Sequence, residues 1–461
     1  MIVVLSTIII VGGIGIASFL NSESLRSQQS NNNNHRPILR YPHNNSLKVE
    51  VVAEGLSFPT SMEFIDDKDL LVLEKEKGTV RLVSLSDKNT TMREEPALKL
   101  TVDSEGERGM LGIAATKGND NYSLPATVFL YYTHSTPPKN SIYRYLWDGQ
   151  KLINPELILD LPSQPGPYHQ GGKLLSTTNK NNQASLYAII GDLTSPDTPL
   201  QNNKYDKLAK NTSILFRIDV DEDKSNYPLS ASIDYNESLL NSSSYDGHSH
   251  GKNTIVTSDR DNNSHNDRNH SDNYHFSTLA YGIRNSFGLA ADPITGNLWD
   301  TENGEDEYDE INLVRPGFNS GWMQIMGPIS RNFNKTQEDL VILNGSSYED
   351  PVFSWKIPIG VTDIEFLNTT RLGAELANNI FVGDINYGNL YYFKVNTSRT
   401  GLELPSGLGL ADHVADDERE LSLITFGANF GRVTDIETGP DGLLYVLSYE
   451  GGKIFRISPI N

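Results

Sequence analysis

One pattern recurs along this chain and constrains its fold more than any other feature. An apolar pair leads into a turn rich in Asp or Gly, then an aliphatic-aromatic run, then an acid or Gly, then another run. Met62 to Leu85 reads MEFIDDKDLLVLEKEKGTVRLVSL, Phe287 to Gly304 reads FGLAADPITGNLWDTENG, and Ile436 to Ser458 reads IETGPDGLLYVLSYEGGKIFRIS. Leu186 to Asp192 (LYAIIGD), Ile380 to Val395 (IFVGDINYGNLYYFKV) and, more loosely, Val128 to Leu146 (VFLYYTHSTPPKNSIYRYL) carry the same element. Short alternating or apolar runs bounded by Gly, Asp, Asn and Pro read as strands, and no long segment shows the helical period. Units of this size bury their faces only against neighbours of the same kind. The sequence therefore predicts an all-β fold, a six-bladed β-propeller of four-stranded antiparallel blades. A two-domain array of β-sandwiches is the competing arrangement.

The propeller is expected over residues 47–461, interrupted at 222–275 by a stretch rich in Ser, Asn, Asp and His. His248, His250, His265, His270 and His275 lie in that stretch. It reads as a solvated surface loop, with weak metal binding as the alternative. Residues 1–20 are almost entirely apolar or small and read as a signal peptide or membrane anchor. The first cation is Arg26, so the usual basic start is missing and cleavage or anchoring stays open. Residues 21–46 read as a disordered polar linker. N-x-S/T sequons such as those at Asn211, Asn334 and Asn396 add to the expectation of an exported, glycosylated protein, secreted or held at the outer face of the membrane. A net charge of −21 argues against nucleic acid as a partner. The chain has no cysteine, which removes disulfides, thiol nucleophiles and thiolate metal sites.

Chemistry-bearing residues stand next to the strand-like runs. His169 is followed by Gln170 and the pair Gly171-Gly172, which lets another group approach the imidazole closely. Asp192 ends the LYAIIGD run, where a carboxylate can orient that imidazole. Glu107-Arg108 sits between Gly106 and Gly109, and reads either as a polar contact or as a solvated turn. Arg284-Asn285 pairs a guanidinium fork with an amide, a combination suited to carbonyl or carboxylate oxygens. From Gly304 and Glu305 to Glu310, a glycine turn with many carboxylates offers the oxygen donors that Ca²⁺ prefers, in an order unlike that of an EF-hand.

Together GERGMLG, HQGGKL with LYAIIGD, YGIRN-FGLA-DP-TG-LW-TENG, DEIN-V-PG-N-GW and GRVTDIETGPDGLLYVL resemble the soluble quinoprotein glucose/sorbosone dehydrogenases, also called aldose sugar dehydrogenases. The resemblance covers about residues 50 to 460. It implies a six-bladed propeller that oxidises the C1 hydroxyl of an aldose to a lactone. Pyrroloquinoline quinone (PQQ), held by Ca²⁺, would be the hydride acceptor, and an external electron acceptor would then reoxidise it. By the same resemblance, His169 is the general base and Asp192 its partner, and Arg284 and Asn285 face the quinone oxygens. Glu107 is a cofactor or substrate contact. Gly304 and Glu305 give main-chain carbonyls to Ca²⁺, Trp355 lies near an aromatic that covers the cofactor, and Arg432 is the first arginine of the final motif. The chain departs from the family pattern at Asn386, where a lysine is frequent, and at Thr434, where a second arginine is usual. It also departs at Glu305, where proline is common, and at Ser320, where an aromatic is common.

Overall fold

The structure, a computed structural model, describes residues 36–40, 45–85, 90–116, 126–178, 184–195, 198–205, 211–219, 275–405 and 409–460. The apolar N-terminus, most of the linker and the His-rich insertion up to residue 274 lie outside the described residues. Among the described residues no helix is long and apolar enough to cross a membrane.

The apolar runs form strands where the pattern places them. Asp69–Glu74, Leu298–Glu302, Ile380–Asp384 and Leu444–Ser448 are buried along nearly their whole length. A strand is buried on both faces only when other layers cover both, so its sequence stays apolar instead of alternating. Each of these is the second strand of its sheet.

The strands fall into six sheets. Their innermost strands are Pro59–Phe64, Met110–Thr116, Leu174–Thr178, Gly288–Ala291, Val361–Phe366 and Val433–Thr438. Each touches the next in chain order, and the last touches the first. The ring is thus closed, and the fold is a β-propeller. The two ends of the chain fasten it: Leu47–Glu54 forms the outer strand of the last sheet, with Leu47 opposite Pro459 and Glu54 opposite Lys453.

Four strands per sheet is the basic unit, but not a uniform one. Phe318–Asn319 and Ser347–Tyr348 extend the third sheet in parallel, Val414–Ala415 extends the fourth, and Ile38–Leu39 the fifth. Two-residue strands carry no hydrophobic period, so the sequence expectation of uniform four-stranded blades missed them.

Aromatic side chains fill the space between sheets. Trp299, Phe353, Trp355, Tyr391 and Phe393 belong to one such cluster, and Phe129, Tyr131, Leu186 and Phe216 to another. Antiparallel neighbours then fix where chemistry can gather. The segment entering each innermost strand and the turn joining second to third strand lie at the same end of the ring. Residues 104–109, 167–173, 191–195, 198–205, 211–213, 282–287, 303–308, 356–360, 385–389 and 429–432 all belong to such segments.

Candidate active site

His169 and Asp192 meet at this end. His169 Nδ1 lies 2.6 Å from Asp192 Oδ1. The same oxygen accepts the Thr194 backbone N–H at 2.7 Å, and Oδ2 accepts the Trp322 indole N–H at 2.8 Å. Three donors on one carboxylate require Nδ1 to carry its proton, which leaves the Nε2 lone pair free to act as a base. The His169 side chain keeps 15% of its exposure, against 2% for Asp192, so the base reaches solvent while its orienter does not.

Glycines make this approach possible. Gly171 and Gly172 adopt φ of 62° and 105°. A Cβ on Gly191 would stand 2.5 Å from the His169 carbonyl oxygen and 2.6 Å from that of Arg284. Gly191 is therefore where the backbones of His169 and Arg284 converge. Asp192 N–H donates to the Arg284 carbonyl at 2.9 Å, which fastens the third sheet's turn to the entry of the fourth.

Arg284 is held by its own backbone and by a ring. Its N–H donates to Glu302 Oε1 at 2.7 Å, Nη1 donates to the Asn303 carbonyl at 3.2 Å, and Cζ lies 5.3 Å from the centre of the Trp322 ring. Arg284 Nε is buried and has no partner within the protein. Glu302 also accepts Ser320 Oγ–H at 2.5 Å. Burial pushes Glu302 up to about 7, against the pull of the Arg284 N–H and Ser320. Ser320, which stands where an aromatic is common, thus has a defined role in supporting the carboxylate behind Arg284.

Asn285 is buried, its Nδ2 donates to Glu107 Oε2 at 3.1 Å, and its Oδ1 accepts the Gly171 N–H at 3.3 Å. Its amide thus braces the histidine loop. Glu107 accepts from Asn285 and from the Gln170 N–H at 3.2 Å, so it sits beside the site, half-buried. Arg108 points away and holds the 163–166 loop through the carbonyls of Ser163 and Gly166.

The acidic turn separates into two environments, because neighbouring residues on a strand face opposite ways. Asp309 secures the glycine turn by accepting from Gly304, Ile359 and Val361 N–H groups. Burial lifts its carboxyl to about 6 against those hydrogen bonds. Glu310 lies on the other face, fully buried, and accepts from Gly327 N–H and Asn312 Nδ2. Burial, followed by the nearby Glu302, raises it well above the ordinary range. The Glu310 oxygens are thus engaged by Gly327 and Asn312 on the face opposite Asp309. Among the described residues no group of three or more His, Cys, Asp or Glu is placed to hold a metal. The donors at the turn that fit a hard cation are main-chain carbonyls, those of Gly304 and the exposed Glu305.

Trp355 is a core residue. It is 1% exposed and packs against Phe353, Tyr391 and Phe393. Its ring fills the core between sheets and covers no open site. Arg432 lies at the correct end, 3.3 Å from Glu450. Asn386 is exposed at the same end, and the hydroxyl of Thr434 is spent on the Pro59 carbonyl at 2.9 Å.

Three contributors were not singled out from sequence: Trp322, Glu302 and Lys173. Trp322 closes the DEIN-V-PG-N-GW motif, yet nothing in its spacing ties it to Asp192, 130 residues earlier. Lys173 Nζ lies 2.7 Å from Asp435 and 2.8 Å from Asp363, among the innermost strands. Burial alone would lower its pKa, but the two aspartates outweigh burial and hold Lys173 well above its ordinary value.

The closed propeller agrees with the fold of known proteins to which the chain is similar. The family profile described as Glucose / Sorbosone dehydrogenase matches residues 56–218 and 217–456, and the chain belongs to that family. The Escherichia coli aldose sugar dehydrogenase YliI is 32% identical over 184 residues, 40% of this chain and 44% of that protein. An uncharacterized protein of Synechocystis is 24% identical over 89% of this chain and 86% of its own length. The apo-form structure of the soluble E. coli aldose sugar dehydrogenase superposes with a TM-score of 0.59 at 20% identity, covering 90% of this chain and all of that one. The PQQ-bound aldose sugar dehydrogenase from Streptomyces coelicolor gives 0.54 at 20% identity, covering 92% of this chain and 100% of that one. At such identities the superpositions speak for the fold. The family membership identifies a sugar-dehydrogenase type of oxidoreductase.

Proposed function

We propose that this protein is an exported aldose dehydrogenase that oxidises the C1 hydroxyl of a sugar to a lactone, with PQQ as the hydride acceptor. Counting each sheet as one blade, the scaffold is six-bladed. The observation that carries the reading is His169 held by Asp192 beside Arg284, whose Nε has no protein partner.

The residues fit the chemistry as follows. His169 Nε2 takes the proton of the C1 hydroxyl, and Asp192 holds the ring in the tautomer that can do so. The C1–H bond then delivers its electron pair as hydride. When bound, the quinone would supply the two-electron acceptor for that hydride, and an external acceptor would reoxidise it. Arg284, with donors left over, stabilises the negative charge that develops on an oxygen during reduction. Glu107 lies within reach of the same space and offers a hydrogen-bond acceptor to a sugar hydroxyl. The carbonyls of Gly304 and Glu305 are the groups that would hold Ca²⁺ against the cofactor. Arg432 would be a further cation for a cofactor carboxylate.

The test is dye reduction by purified protein supplied with PQQ, Ca²⁺ and a panel of aldoses. The reading expects sugar-dependent reduction that His169→Ala abolishes. Absence of dye reduction with every aldose, in protein that binds PQQ, would remove it.

A further inference from the structure

We propose that Trp322 is a positioning residue that ties the His169–Asp192 pair and Arg284 into one unit. The inference rests on the dehydrogenase reading for its kinetic consequences only.

One ring touches both halves of the site. The indole N–H donates to Asp192 Oδ2 at 2.8 Å, while the ring face lies under Arg284, 5.3 Å from Cζ. A buried indole N–H needs an acceptor, and this one spends its hydrogen on the carboxylate that orients the base. Trp299 and Trp355 differ, because both are packed between sheets with ring N–H groups that have no protein partner.

The backbone fixes the ring from both sides. Trp322 N–H donates to the Gly282 carbonyl at 3.0 Å, and its own carbonyl accepts Asn202 Nδ2 at 2.7 Å. Gly282 lies two residues before Arg284, so the tryptophan and the arginine share one anchor. Gly321, at φ 106°, lets the chain turn into this position, with Tyr348 and Ile325 packed closely against it.

The consequence is geometric. With Trp322 on Oδ2 and Thr194 N–H on Oδ1, the carboxylate of Asp192 cannot rotate about its terminal bond. The imidazole it holds is then fixed in plane, with Nε2 outward. The ionisable groups around this pair are Glu107, bonded to the histidine loop through Gln170 N–H, Arg284 on the fourth-sheet entry, and Glu302 behind Arg284. None donates to Asp192 Oδ2, so the indole has no substitute.

Two substitutions separate the two contacts. Trp322→Phe keeps a ring under Arg284 and removes the donor, whereas Trp322→Leu removes both. The first measurement uses apo-protein with labelled histidine and follows exchange of the His169 Nδ1 proton by NMR. Exchange should be about tenfold faster in Trp322→Phe than in wild type, the equivalent of one hydrogen bond to a charged group. The second uses protein reconstituted with PQQ and Ca²⁺. Turnover in Trp322→Phe should fall about tenfold while the sugar KM stays within about twofold. Trp322→Leu should additionally weaken PQQ binding, because the guanidinium loses its support.

Wild-type exchange and turnover in a folded Trp322→Phe would overturn the proposal, as would a raised KM with unchanged turnover. If wild type does not turn over at all, the dehydrogenase reading fails and the exchange experiment alone decides the role of Trp322. Should Trp322→Phe not fold, Asp192→Asn gives the reciprocal readout. The Trp322 indole proton should then shift and exchange faster, and an unchanged resonance would refute the contact.

Discussion

Replacing Lys173 by methionine tests how the centre of the ring is held. The lysine is the cation between Asp363 and Asp435, with contacts of 2.8 and 2.7 Å, and all three side chains are nearly inaccessible. At an effective dielectric of ~20, each contact is worth about 6 kcal/mol of attraction before desolvation. Desolvation consumes most of that, and removing one partner of a buried pair typically costs about 3–5 kcal/mol. The aspartates also support the backbone: Asp435 accepts from Ser61 Oγ–H and Met62 N–H, and Asp363 accepts from Ile436 N–H. Lys173→Met should therefore lower Tm by several degrees at pH 8. The sign with pH is fixed by the neighbours. Burial already pushes Glu63 up to about 8, with Lys173 opposing it. Without the lysine, the surrounding carboxyls must take up protons, which is cheap at pH 5.5 and costly at pH 8. The gap in Tm between wild type and variant should thus widen with pH. Thermal unfolding followed by circular dichroism at both pH values is the assay. Equal Tm values at pH 8, or a gap that widens on acidification, would refute the reasoning.

Other consequences follow from the same structure. His169→Ala should reduce dye-linked turnover by roughly 10²–10⁴-fold, the usual contribution of a general base, without changing Tm appreciably. Gly191→Ala should lower both Tm and turnover, since its Cβ would strike the carbonyls of His169 and Arg284; a variant with wild-type Tm and turnover would contradict that convergence. Wild-type apo-protein should lose stability as pH rises from 5 to 8. Glu302 and Glu365 sit at about 7 and Glu63 at about 8, all raised by burial, so their stabilising protons are present near pH 4.5 and are lost through those values. A Tm that rises across this range would show that other groups dominate. Chelation of Ca²⁺ from reconstituted protein should abolish dye reduction and release quinone into the filtrate, while full retention of both would remove the carbonyl turn from the mechanism.

Much of the scaffold was legible because its signal is local. Runs such as LYVLS and IFVGD are apolar without alternation since two sheets cover each strand. Turn residues between them mark the unit length. The short accessory strands were not legible, because two residues carry no period. At the site, His169, Asp192 and Arg284 lie together, and Gly191 explains how. The partners of Asn285, Glu310 and Trp355 were not legible, for one shared reason. Sequence proximity to a functional residue does not say which way a side chain turns, and on a strand the next residue faces the opposite side. Trp322 and Lys173 were hidden for the converse reason. Their partners are 130 and 262 residues away: the return of Phe318–Asn319 to the third sheet brings Trp322 to Asp192, and the ring brings Lys173 to Asp435.

The central claim is that His169, Asp192 and Arg284 oxidise an aldose through a bound quinone. The direct measurement is an anaerobic single turnover: protein reconstituted with PQQ and Ca²⁺ is mixed with one equivalent of sugar, and the quinone absorbance is followed. The account predicts conversion to the reduced spectrum with release of one lactone per quinone. It also predicts a slower reaction with C1-deuterated sugar and none within the same time in His169→Ala. Quinone that binds but stays oxidised with every aldose, or that is reduced equally fast in His169→Ala, would contradict it.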